Sequence, residues 1–192
     1  APQAGYDLAS TQVSNFEGIP TKRYTFLKPS ILSLSEDKVG SQLAITVEAF
    51  GEIPATPAGY DLASTQVSNF EGIPTQRYTF LKPSILSQTE DKVGSQNAIV
   101  IEAFNLEPSA GSHVLAKTEI SNFDGIPTKR YTFLADCVLS KTEDLIGSQK
   151  AEIIETFGAE TPTPSNGGVL AKTEISNVEG IPTKRHTFLK PG

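Results

Sequence analysis

A fourteen-residue phrase, SNFEGIPTKRYTFL, runs from Ser14 to Leu27 and is written four times in this chain. It returns as SNFEGIPTQRYTFL from Ser68, SNFDGIPTKRYTFL from Ser121 and SNVEGIPTKRHTFL from Ser176. Its glycine falls at Gly18, Gly72, Gly125 and Gly180, spacings of 54, 53 and 55 residues. Such a period restricts the chain to repeat architectures, in which one small unit is copied and stacks on its neighbours.

The match extends beyond the phrase. YDLASTQVSNFEGIPT at Tyr6 recurs letter for letter at Tyr60, and SEDKVGSQLAITVEAF at Ser35 returns in altered form from Thr89 and Thr142. Each unit therefore has an A half built on the phrase and a B half built on EDKVGSQ and ending in Phe. The order is A-B-A-B-A-B-A, three and a half copies, which divides the chain into repeats at 1–56, 57–110 and 111–166 and a half repeat at 167–192. Between each B and the next A lie GEIPATPAG, NLEPSAGSH and GAETPTPSNGG, rich in Pro, Gly, Ser and Thr, which read as surface connectors.

The A half reads as a β-hairpin. TQVSNF and TKRYTFL are rich in β-branched and aromatic residues. Between them EGIP supplies a glycine for positive φ and a proline expected to halt further pairing. Alternation puts Tyr24 and Phe26 on one face and Arg23, Thr25 and Leu27 on the other. KPSIL is expected to bend away at Pro29 and Pro83. For the B half, a helix capped by Ser35 competes with a loop, EDKVGSQ, followed by a strand, LAITVEAF. Gly40 and the series Ile45, Thr46, Val47 favour the strand. The expected fold is mainly β: a tandem repeat of about 54 residues, small β-hairpin modules on Pro/Gly-rich connectors, elongated rather than globular.

Composition narrows the function. The net charge of −6 argues against a nucleic-acid surface. No apolar run approaches the ~20 residues of a membrane-spanning helix. The acidity lies in the three B halves, −3 each, while the A halves carry +1, 0, 0 and +2. Both read as ordinary solvated faces, with the alternative that A and B faces are complementary and salt-sensitive in their association. The chain holds no Met and opens at Ala1, which suits either initiator removal or loss of a leader, so the compartment stays open.

No catalytic signature appears. His113 and His186 have no second His or Cys at ligand spacing, so no metal is expected. The adjacent carboxylates Glu36-Asp37, Glu90-Asp91 and Glu143-Asp144 do not face each other on a helix or a strand. The GSQ of each B half lacks the lysine of a phosphate-binding loop. The lone Cys137, in FLADCVLS where earlier copies read FLKPSILS, excludes an internal disulfide. It reads as a small, half-buried thiol, with a covalent prosthetic group or an intermolecular disulfide as the functional alternative.

The expectation is a non-enzymatic linker or scaffold. Four A motifs bind equivalent sites on repeated protein subunits of a larger assembly, each weakly, with linkage multiplying their strength. The partner-binding residues are Phe16, Arg23, Tyr24 and Phe26 in the first copy and Phe70, Arg77, Tyr78 and Phe80 in the second. Phe123, Arg130, Tyr131 and Phe133 follow in the third, and Arg185, His186 and Phe188 in the fourth. Two other readings stand beside it: an extracellular or surface stalk of stacked β-modules, and a carrier of one group on Cys137.

Overall fold

The computed structural model describes residues 2–191. Ala1 and Gly192, on which the expected N-terminal processing and the end of the half repeat fall, lie outside the described residues. Fourteen strands follow in order, with no helix among the described residues: β1 (Asp7–Phe16), β2 (Ile19–Leu27), β3 (Ser30–Val39), β4 (Gln42–Phe50), β5 (Asp61–Phe70), β6 (Ile73–Leu81) and β7 (Ser84–Val93). The second half continues with β8 (Gln96–Phe104), β9 (Val114–Phe123), β10 (Ile126–Leu134), β11 (Cys137–Ile146), β12 (Gln149–Phe157), β13 (Val169–Val178) and β14 (Ile181–Leu189).

Each A half is a hairpin closed by two residues. Phe16 pairs with Ile19, and the intervening Glu17 and Gly18 have φ of 50° and 83°. Positive φ at both positions is the type I′ turn that suits the twist of paired strands. The Asn15 side chain reinforces it by accepting the Gly18 N–H at 2.7 Å. The structure corrects one expectation here, because Pro20 lies inside β2, opposite Asn15, and does not halt the ladder. Beside a two-residue loop the second pair is a non-hydrogen-bonded one, so no donor is needed toward β1. On the other side, the ladder to the B hairpin begins only at Gln76 in the second copy, two residues beyond Pro74.

Each B half is a second hairpin. LAITVEAF is strand, as expected, but the preceding segment is not a loop: β3 runs through Glu36, Asp37 and Lys38 to Val39, and only Gly40 and Ser41 turn. The charged stretch is tolerated because it forms the exposed end of β3.

The sheets join B to the following A. Their orders are β3-β4-β6-β5, β7-β8-β10-β9 and β11-β12-β14-β13, with β1-β2 left as a two-stranded sheet. A four-stranded module therefore takes the B half of one sequence repeat and the A half of the next. A register shift between Leu8 and Ser10, repeated at Leu62/Ser64 and Leu170/Lys172, takes an alanine out of the ladder; Ala9 and Ala63 are buried there, whereas Ala171 is exposed.

The chain divides into two compact units. One holds the chain up to Leu86 with Asn122–Pro127. Its core gathers Val47, Ala49, Tyr78 and Phe80, flanked by Ile45 and Tyr60. The other holds Ser87–Ser121 and the chain from Thr128. There Val93, Ala98, Leu134, Leu139, Phe157 and Ile181 cluster, with Ala116, Cys137 and Val178 against them.

Candidate interaction surface

The A-half aromatics predicted from sequence to meet a partner are placed very differently in the four copies. In copies two to four they line the seam to the preceding B hairpin. Tyr78 faces Val47 and Phe80 faces Ile45 across β4 and β6, and Tyr131 faces Ile101 and Phe133 faces Ile99 across β8 and β10. His186 faces Ile154 and Phe188 faces Glu152 across β12 and β14. Tyr78, Phe80, Tyr131, Phe133, His186 and Phe188 are all buried, so three of the four aromatic faces are core. In the first copy Tyr24, Phe16 and Phe26 are exposed. Phe70 and Phe123 are half-buried at hairpin ends.

The arginines lie on the opposite face of the same seam. Arg77, Arg130 and Arg185 stand across the ladder from Glu48, Glu102 and Glu155. Each arginine thus has a carboxylate as its cross-strand neighbour, a position where a like charge would repel. The carboxylates themselves are held by hydroxyls of the A hairpin. Ser68 Oγ and Thr75 Oγ1 donate to the two oxygens of Glu48, each at 2.8 Å. Ser121 and Thr128 do the same for Glu102 at 2.8 and 2.9 Å, and Ser176 and Thr183 for Glu155 at 2.9 and 3.0 Å. This Ser–Thr–Glu clamp escaped the sequence reading, though its signal was there: the Ser and Thr flank the turn in every A half and the Glu precedes the final Ala/Thr-Phe of every B half.

The GSQ turns also acquire a role. In the first unit Ser41 N–H donates to Leu86 O at 3.0 Å, and Ser41 Oγ and Gln42 Nε2 both reach Ile85 O. In the second unit Ser95 N–H donates to Leu139 O at 2.9 Å, with Ser95 Oγ and Gln96 Nε2 on Val138 O. Leu139 is the residue at the register shift between Val138 and Ser140. Such a bulge takes a residue out of the ladder, and the preceding turn satisfies its carbonyl. The tip of one B hairpin is thus bonded to the start of the next.

Comparison with protein-family models, curated proteins and solved structures gives no match. The remaining features belong to the chain's own chemistry. Val13, Val67, Ile120 and Ile175, one per A half, are 88–92% exposed on β1, β5, β9 and β13. Beside Val67 an open groove of about 720 Å³ runs between the connector at Phe50–Ile53 and the β6 residues Pro74, Gln76 and Tyr78. Glu52 is the one carboxylate lining it. No cluster of three or more His, Cys, Asp or Glu able to hold a metal occurs among the described residues. Cys137 is half-buried, and burial, with Glu160 and Asp136 beside it, pushes its thiol pKa up. That disfavours the thiolate an attachment reaction needs.

Two departures from the repeat are compensated locally. Glu152 replaces the Ile45/Ile99 position and is buried, and the longer third connector folds onto it: Ser165 N–H, Ser165 Oγ and Asn166 N–H all donate to its carboxylate. His186 replaces tyrosine, its Nε2 lying 3.0 Å from Thr156 Oγ1 and its Nδ1 3.2 Å from Thr173 Oγ1. A neutral ring donates with one nitrogen and accepts with the other, and the hydroxyls rotate to suit. Burial, then Lys184, lower its pKa, while Glu155 opposes them. The unfolded chain then binds the proton first, at about pH 6.5. The neutral ring's contribution is whole above that pH and is lost as pH falls through 6.5 toward the folded value. His186→Tyr should therefore flatten the fall in urea midpoint between pH 7.5 and 5.5. Parallel pH profiles for the two proteins would remove the assignment.

Proposed function

We propose that this chain is a non-enzymatic structural spacer, a stalk or scaffold of β-modules that complete their own cores and stack through their turns. The observation that carries the reading is the closure of three A hairpins by the preceding B hairpin. A segment that waits for a partner to order it leaves its apolar face open, whereas these faces are covered within the chain. The GSQ bonds from turn to next bulge add the neighbour term on which repeat proteins depend. Repetition of the closed hairpin pair over three modules also fits poorly with one active site.

A second reading keeps the multivalent scaffold. Val13, Val67, Ile120 and Ile175 offer four equivalent exposed β-branched side chains on sheet edges, where strands of repeated subunits could add. In this reading the sites are the edges and not the aromatic faces.

Small-angle scattering of the purified chain tests the spacer. A globule of 192 residues gives a radius of gyration near ~16 Å and an unfolded chain near ~47 Å. A bell-shaped Kratky plot with an intermediate radius is expected. A radius near the globular value would overturn the spacer, and one near the unfolded value would overturn self-completion.

A further inference from the structure

A groove opens between a connector and the aromatic face of its module at two places in the chain. In the first module Gly51, Glu52 and Ile53 of the connector line it together with Val67, Gln76 and Tyr78. In the third, Glu160 and Thr161 of the connector stand with Lys184 and His186 around about 350 Å³. That third module has its predecessor in place: Phe157 and Ile181 pack on Val93 of β7 and Ala98 of β8. By alternation those two residues share the Arg185 face, whereas the groove lies on the His186 face. The groove is therefore a property of the single module and stays open beside a stacked neighbour.

The two grooves differ in charge. Copies one, three and four of the A half carry Lys22, Lys129 and Lys184 at the position where copy two carries Gln76. Glu160 thus shares its groove with Lys184. Among the described residues no Lys, Arg or His lines the first groove, and Glu52 is left as its one charge. Gln76 accepts the Tyr78 hydroxyl at 2.7 Å and adds no charge of its own. Around that carboxylate the surface is apolar and open, with Ile53 82% and Val67 90% exposed.

We propose that the groove of the first module is a docking site for a basic, apolar segment of a partner protein. The segment lies extended, with a Lys or Arg on Glu52 and branched apolar side chains against Ile53 and Val67. Charge complementarity selects the cation, since a carboxylate with no cation beside it attracts a positive group and repels an acidic one. Shape selects a polypeptide. Sites for small molecules enclose most of their ligand. This groove is open, and its apolar side chains stand largely in water, where a chain laid along it would cover them. The site goes beyond the spacer role and does not rest on it: a globular scattering profile would leave it standing.

The test titrates the full, isotope-labelled chain with the synthetic peptides GSVKVSG and GSLRLSG and follows backbone amides by NMR. Shifts are expected at residues 51–53, 67 and 76–78, and the control peptide GSVEVSG should leave those amides in place. Gln76→Lys installs the lysine of the other copies, so the fold tolerates it, and it should weaken binding about threefold. Ile53→Ser, at an exposed position, removes an apolar anchor and should weaken it about tenfold. Equal shifts with the acidic peptide, or binding indifferent to Gln76→Lys, would overturn the cation on Glu52. Shifts along β1, β5, β9 and β13 that ignore Ile53→Ser would assign the peptides to strand edges and overturn the groove. If butylamine moved the same amides at the same concentrations, the occupant would be a free amine and the partner protein would be overturned. No shift from either basic peptide at about 1 mM, a weak limit for specific contacts, would overturn the docking site.

Discussion

Phe80→Ala is expected to destabilise the chain by about 3–5 kcal/mol, the usual cost of emptying a buried phenylalanine site. The same change at Phe26 should cost about 1 kcal/mol, because much of that ring already meets water. The two phenylalanines share their surroundings in sequence: RYTFLKPSIL follows the turn in both copies. Local propensity, turn chemistry and hairpin register are therefore matched. What differs is the B hairpin, which lays Ile45 against Phe80 and has no counterpart over Phe26. Urea unfolding followed by circular dichroism suits the measurement, since the chain has no tryptophan. Equal losses at the two sites would mean that the module is the A hairpin alone and that the B hairpin contributes no core.

The β character and the hairpins were legible because their signals are local. Alternation in TKRYTFL, the Glu-Gly or Asp-Gly turn and the β-branched run in LAITVEAF each act within a few residues. Partner choice was not legible, since every A half except the first and the last is flanked by B halves on both sides. Two features decide it. Pro29 and Pro83 have φ locked near −65° and cannot take the positive φ of a two-residue hairpin turn, so β2 and β3, or β6 and β7, do not close on each other. The long connector then carries the chain from β4 past the position of β6 to β5, as the order β3-β4-β6-β5 requires. The aromatic face was correctly seen as one face, yet its role turned on that long-range choice. The same is true of GSQ, whose Ser and Gln find their acceptors more than forty residues away.

Gly94→Ala is expected to cost more than Gly147→Ala, although both occupy the same turn with φ of +56° and +61°. A left-handed conformation penalises any L side chain by about 1–2 kcal/mol, and both variants bear that cost. At Gly147 a Cβ meets nothing within 4 Å, because no further B hairpin follows it among the described residues. At Gly94 it would stand 2.6 Å from Leu139 O, the carbonyl that accepts Ser95 N–H. A carbonyl is backbone and does not step aside, so the turn must withdraw and the Ser95 and Gln96 bonds go with it. Leaving those groups unpaired adds about 1–3 kcal/mol at Gly94 alone. Urea midpoints of the two variants measure the difference, and hydrogen exchange at Ser95 locates it. If the variants lose the same stability, the turn-to-bulge bond contributes nothing to cohesion between neighbouring modules, and their stacking must rest on apolar contacts such as Val93 and Leu139. If the gap appears, the GSQ that recurs in every B half is the coupling element of the repeat.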